Sequence, residues 1–371
     1  MTRLLHSIDK SLGHIFHRIE SATTVGTDQL ALFRIFYGAL LLCYFLPSWS
    51  WLNEVPPGFF DPQFLSFAYL TDNYLPGYVY ILSDVLVIVL LLFITLGIHS
   101  RKCLLLMFVI SAILFSYSFS FGKIDHYTNL FLFTYPVLAF TNSGTKYALI
   151  KDRALSRRTQ ENALIVMGII IAFGYLGAGL PKCLHWIDFD PDNSGFLSWL
   201  YYSFFNSENQ SLLAPYLFKI PVYLFEPLDY LAAIFEVSGF FFLFKSRKYW
   251  LFYLTLASFF HFANLVTLNL SFALNVLCYG IFIISPIIAH IYQKHRDFFG
   301  KYKKSLIIGM VIIALIKIVL VLSDLPVYNY HNFAPMLNFE LTMDIFLWIF
   351  TIICGIYLLY SKKMPFKKTN L

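Results

Sequence analysis

Long apolar runs separated by short polar breaks dominate the chain, and their lengths are those of membrane-crossing helices. Crossing the hydrocarbon core takes about 20 predominantly apolar residues, with about 17 as the short limit. Ten stretches of the 371-residue chain come near that length: 30–47, 77–97, 104–120, 127–141, 163–180, 229–244, 250–268, 272–291, 305–323 and 342–360. The fourth and sixth are short, so their helices are expected to run on into flanking polar sequence. Ahead of the first run, Leu4, Leu5, Ile8, Leu12, Ile15, Phe16 and Ile19 recur at intervals of three and four among Arg3, Lys10, His14 and Arg18. One apolar stripe on an otherwise basic helix predicts a segment lying in the membrane interface. The pattern therefore predicts an all-α, polytopic membrane helix bundle of about ten transmembrane helices, preceded by an N-terminal interfacial amphipathic helix. Residues 1–28 form the amphipathic segment, 29–295 the transmembrane core, and 296–371 a C-terminal two-helix membrane segment with a basic tail.

Composition agrees with that class. Hydrophobic residues make up 58% of the chain and charged residues 13%, and mean hydropathy is +0.67, whereas soluble domains carry about 25% charged residues. The net charge of +6 raises the question of a nucleic-acid partner, and the placement of the charges excludes one. Of the 27 Lys and Arg residues, 22 fall in 3–18, 101–102, 146–158, 245–248, 294–304 and 362–368, the tails and alternate breaks between spans, while 48–76 and 324–341 carry none. Cytoplasmic loops concentrate Lys and Arg, so a multi-pass protein of the cell membrane with both termini cytoplasmic, and hence an even number of spans, is expected. The basic-free segment 48–76 and the segment 181–228 are rich in aromatic residues, which suits interfacial segments on the opposite face. Membrane lipid is the expected surrounding partner. Cys43, Cys103, Cys183, Cys278 and Cys354 show no paired spacing, so neither a metal centre nor a disulfide framework is expected. Residues 2–28 hold no continuous apolar core of the kind a cleavable signal needs.

Candidate chemistry lies with the few ionisable residues in or beside the spans, because a charge at bilayer depth costs about 3 kcal/mol or more and ordinarily faces protein or water. Arg34, near one end of its span, is expected to snorkel. Asp84, Lys317 and Asp344 are expected to neutralise one another. A denser set remains. Lys123, Asp125 and His126 sit in Phe121-Gly-Lys-Ile-Asp-His-Tyr-Thr-Asn129 between the third and fourth runs. Lys182 follows Tyr175-Leu-Gly-Ala-Gly-Leu-Pro181, whose small residues permit close helix approach. Glu236 and His261 lie about 11 Å into the sixth and seventh runs, which the short break 245–248 makes antiparallel neighbours. These groups can form an outward-opening polar cavity. A desolvated lysine can serve as a base, His126 can shuttle protons, and Asp125 or Glu236 can orient either one. Equally, the set can be a structural network that satisfies its own charges.

These stretches resemble the HTTM (horizontally transferred transmembrane) domain, the membrane portion of vitamin K-dependent gamma-carboxylases and their bacterial relatives. Leu30-Ala-Leu-Phe-Arg-Ile-Phe-Tyr-Gly38, Phe121-Gly-Lys-Ile-Asp-His126, Tyr135-Pro-Val-Leu-Ala-Phe140, Tyr175-Leu-Gly-Ala-Gly-Leu-Pro-Lys182, Glu236 and Phe260-His-Phe262 carry the likeness, in order, across residues 25–290. The resemblance implies a carboxylase-like (carbon–carbon lyase) activity with a reduced quinone of the vitamin K type as cofactor and no metal. Lys123 would be the base that deprotonates the quinol, with His126 and Asp125 beside it and Lys182, Glu236 and His261 in support. A secreted peptide would be the client. Two other readings stay open: a non-enzymatic membrane factor for maturation, export or immunity of a secreted peptide, and a proton-coupled transporter using Glu236 and His261.

Overall fold

A computed structural model of the chain describes residues 2–71, 73–122, 127–190, 192–206, 212–323 and 339–361. It is 78% helix, with no strand among the described residues. The helices are, in chain order, α1 (Thr2–Thr23), α2 (Thr27–Cys43), α3 (Phe67–Thr71), α4 (Gly77–Leu96), α5 (Ser100–Ser118), α6 (Tyr127–Ala139), α7 (Arg157–His185), α8 (Gly195–Tyr201), α9 (Ala214–Leu217), α10 (Glu226–Val237), α11 (Gly239–Lys245), α12 (Arg247–Leu268), α13 (Leu274–Gly280), α14 (Ile284–Lys294), α15 (Arg296–Leu322) and α16 (Phe339–Tyr360). In a medium without water only a helix satisfies all its backbone groups within one segment, which is why the apolar runs take this form.

Among the described residues, six helices are long and apolar enough to cross a membrane: α4, α5 with the turn to Phe121, α7, α12, α15, and Thr342–Tyr360 of α16. Three interrupted pairs raise the count to nine if each pair is one crossing: Leu12–Thr23 with α2, Val222–Val237 with α11, and α13 with α14. The expected fourth stretch, 127–141, holds only the short apolar helix Leu130–Ala139. The expected sixth stretch is not one straight helix. It bends by 48° between α10 and α11, at Ser238, whose hydroxyl donates to the Phe235 carbonyl (2.7 Å). A serine that bonds the preceding turn in this way commonly bends a helix. The amphipathic stretch 4–19 lies within α1, whose C-terminal end buries Ile19 and Ala22.

The chain forms two compact units. The first comprises Met1–Thr24, Ile165–Ile284 and Met343–Leu371. Within it α1 packs on α11 and α12. The carboxylate of Asp229, fully buried on α10, accepts the backbone N–H groups of Gly195 and Phe196 (both 2.9 Å) at the start of α8. Leu213 N–H donates to the Val266 carbonyl (3.0 Å) and the Ser203 hydroxyl to that of Leu268 (2.9 Å). These bonds satisfy carbonyls at the end of α12, where a helix leaves four without partners.

The second unit comprises Val25–Leu164 and Ser285–Thr342, with α4 packed among α2, α5 and α15. Asp84 of α4 repeats the device of Asp229. It is fully buried and accepts the N–H groups of Trp49 (2.8 Å) and Ser50 (2.9 Å) at the start of the turn Ser50–Glu54. Both its oxygens serve backbone, which corrects the expectation that Asp84 exists to neutralise a lysine. Arg34 does not snorkel either. Its side chain is wholly buried and donates to the carbonyls of Ser143 (3.1 Å), Tyr147 (2.8 Å), Thr95 (3.2 Å) and Ile94. The end of α4 and the segment 139–152 both present orphan carbonyls there, and the five-donor guanidinium serves several at once. Gly97 turns the chain between α4 and α5 at φ +74°, and a Cβ there would lie 2.5 Å from Ala148. Replacing Arg34 by Met leaves the carbonyls of Ser143, Tyr147 and Thr95 without that donor, while Ile94 keeps the Gly97 N–H (3.2 Å). At about 1–3 kcal/mol for each buried group left unsatisfied, Arg34→Met is expected to lower stability by at least about 3 kcal/mol, with Arg34→Lys recovering only part. Thermal unfolding of the purified protein in detergent checks this.

Candidate functional site

The first unit holds Lys182, Glu236 and His261. α7 opens at Ser156, whose hydroxyl accepts the Thr159 N–H (3.1 Å), a side-chain cap for the first turn. Along this helix Tyr175, Gly179 and Lys182 stand at intervals of four and three and so share a face. Gly179 is the contact point. A Cβ there would lie 2.7 Å from Cβ of Glu236 and 3.0 Å from the backbone nitrogen of Val237. Gly177 has nothing within 4 Å, so of the two glycines only Gly179 brings α7 against α10. Pro181 removes an N–H that would otherwise meet the Gly177 carbonyl one turn back.

That approach sets Lys182 Nζ 2.5 Å from Glu236 Oε1, the lysine side chain 22% exposed and the glutamate 4%. The ammonium also lies over the rings of Trp186 (5.0 Å) and Phe260 (5.5 Å). Cation–π contacts of this kind strengthen where water is excluded. Glu236 Oε2 is buried with no hydrogen-bond partner among the described residues.

His261, the residue after Phe260 on α12, is buried beside this pair. Its Nε2 lies 2.8 Å from Tyr175 Oη and 3.0 Å from Tyr279 Oη, and the two phenolic oxygens are 2.8 Å apart. The imidazole stacks on Trp348 at 5.2 Å between centroids and meets Phe272 at 4.7 Å. Its Nδ1 has no partner among the described residues. A neutral imidazole carries its proton on one nitrogen, so either tautomer leaves Nδ1 with an unused donor or an unused lone pair.

The sequence-predicted residues thus separate. Lys182 and Glu236 are paired as expected of a common site, and His261 joins them through Tyr175 and Phe260. Lys123, Asp125 and His126 lie outside the described residues. Tyr175, Tyr253, Tyr279, Asn275 and Trp348 belong to the same cluster and were not anticipated. For Tyr175 the signal was present in the spacing, seven residues before Lys182 on one helix. For the others it was only a polar atom within an apolar run. Among the described residues no three His, Cys, Asp or Glu side chains form a metal site. A carboxylate and an imidazole with unused hydrogen-bonding capacity can take up or release a proton.

The chain matches no protein-family model, no curated protein and no solved structure.

Breaking a buried ion pair from one side leaves an uncompensated charge and costs about 3–5 kcal/mol. Lys182→Met is therefore expected to destabilise strongly, and Lys182→Met combined with Glu236→Gln to regain most of the loss. A double-mutant cycle of melting temperatures reads the coupling; additive effects would show that the two side chains do not depend on each other.

Proposed function

We propose that this chain is a ten-span protein of the cell membrane, both termini cytoplasmic, which uses a reduced quinone to modify a secreted peptide in the manner of the HTTM carboxylase-like proteins it resembles. The observation that carries the reading is the buried cluster of Lys182, Glu236, His261, Tyr175 and Tyr279 inside an apolar helical unit. A purely structural network closes its own hydrogen bonds, whereas this one leaves Glu236 Oε2 and His261 Nδ1 open. Those open atoms, between aromatic rings, fit a planar molecule with hydroxyl or carbonyl edges. Such a quinol, when bound, would on oxidation by dioxygen supply a base strong enough to take a carbon-bound proton from a glutamate of the peptide, and carbon dioxide would add at that carbon. Glu236 accepts and holds a proton, Lys182 steadies its charge, and His261 relays protons toward the two tyrosines. Lys123 acts as base, as the resemblance implies, with Asp125 and His126 of the same stretch orienting it and passing protons. Ten crossings are supported by the alternation of basic and basic-free segments, and are compatible with six long apolar helices and three bent pairs among the described residues together with the short helix α6.

Two measurements test the reading. Mass spectrometry of secreted peptides should show the gain of one carboxyl group only in cells that express the chain, and Lys123→Ala should abolish it without lowering expression. An unchanged peptide profile would refute the activity. For topology, a cysteine placed at Gln63 should react with an impermeant maleimide in intact cells, and one placed at Thr159 only after permeabilisation. The reverse pattern would invert the orientation.

A further inference from the structure

Of the six long apolar helices, α15 is the one least covered by protein. In its most apolar window 17% is buried, against 33–50% in the other five. Its buried residues, Ala314, Lys317 and Val321, all lie in its second half. Its 27 residues run about 40 Å at 1.5 Å each, about 10 Å more than the hydrocarbon core is thick. From Leu306 to Leu322 the helix is apolar apart from Lys317, so the excess falls at its start, in 296–305. That start stands at the depth of the lipid headgroups.

The same stretch carries the charge. Lys294 closes α14, and after His295 come Arg296, Lys301, Lys303 and Lys304 of α15, with Asp297 the one carboxylate among them. All five cations are exposed, and none pairs with a carboxylate among the described residues. Basic side chains elsewhere in the second unit are engaged. Lys146 pairs with Asp28 (3.0 Å) and Arg157 with Glu161 (2.6 Å), and Arg101 donates to the carbonyls of Ala139 (3.0 Å) and Arg153 (2.9 Å). At the start of α15, Phe298, Tyr302 and Leu306 follow at intervals of four and so share a face. All three are exposed, and the two rings lie 4.7 Å apart. At about 100° per residue, Lys301 falls to one side of this stripe and Lys303 to the other. An apolar stripe bordered by cations suits a helix surface seated among headgroups, where lysine stems lie along apolar surface and the ammonium stays in the polar layer. We propose that the corner between α14 and α15 binds the headgroups of anionic phospholipids, the stripe resting on acyl chains and the cations facing phosphate. Bound lipid thereby holds the end of α15 that carries none of its buried residues. The proposal needs α15 to cross the membrane and is independent of the quinone reading.

The test titrates the full chain in detergent with phosphatidylglycerol or with phosphatidylcholine of the same acyl chains and counts bound lipids by native mass spectrometry. Melting temperature in nanodiscs of each lipid is the second readout. The wild type should bind phosphatidylglycerol at least about tenfold more tightly and melt higher in it, since each cation near an anionic surface is worth about fivefold. High salt should weaken the preference. Lys301→Gln, Lys303→Gln and Lys304→Gln combined should remove most of it, while the melting temperature in phosphatidylcholine stays at the wild-type value because these side chains are exposed. Lys151→Gln, Arg153→Gln and Arg158→Gln combined take the same charge from other exposed positions of the unit and should leave the preference intact. Equal affinity of the wild type for the two lipids overturns the proposal, the result expected if the cations only orient the chain or face an acidic protein. A preference that survives in the first triple variant overturns it as well. So does an equal loss in both triple variants, which marks attraction to net charge without a site.

Discussion

Asp84 and Asp229 each place a carboxylate where two consecutive backbone N–H groups would otherwise find no acceptor, and much of the architecture depends on bonds of this kind. Lipid supplies no hydrogen bonds. A loop can reach the end of a helix only where some side chain meets the backbone groups it exposes. Each unit solves the problem in the same way, with a buried acid on a long helix receiving the first turn of a neighbouring segment. Arg34 is the complement, a buried donor receiving the carbonyls of a helix end and of the segment 139–152. These charged side chains are expensive to bury, and the structure uses them to satisfy backbone that would be costlier still.

The cluster around His261 is less fully closed, with Glu236 Oε2 and His261 Nδ1 open among the described residues. An unsatisfied buried polar group costs about 1–3 kcal/mol, and the whole net stability of a domain is about 5–15 kcal/mol. A few such groups left empty would consume much of it. The same constraint that makes Asp84, Asp229 and Arg34 structural singles out Glu236 and His261, which each keep an open atom beside the Lys182 pair. Residue type does not separate the two groups, and neither does burial. What separates them is whether their bonds close among the described residues.

The helical membrane class was legible in the sequence because lipid imposes a length and an apolarity on every span, and both survive in the composition of each run. The interruption between α10 and α11 was less legible. Ser238 and Gly239 are ordinary residues in a membrane helix, and the bend shows only once Ser238 is seen bonding back to Phe235 and Gly239 is seen admitting the Tyr253 hydroxyl. Lys182, Glu236 and His261 could be picked out singly, as ionisable groups in apolar surroundings. Their partners could not, because the contact between α7 and α10 depends on one glycine of two similar ones. Arg34 misled for an opposite reason. Its place near a span end suggested a path to water, while the carbonyls that hold it come from residues more than fifty positions away in the chain.

The triangle of Tyr175, Tyr279 and His261 Nε2 has a property of its own. Three heteroatoms stand at nearly equal separations, 2.8, 2.8 and 3.0 Å. When Nε2 carries no proton, two hydroxyl protons must serve three edges. Tyr175 can donate to the imidazole while Tyr279 donates to Tyr175, or the roles can be exchanged. The two arrangements use the same heavy-atom positions and differ only by rotation of two O–H bonds. The cluster is thus bistable in its hydrogens while rigid in its skeleton, a degenerate relay whose direction is decided by whatever charge is brought to either end.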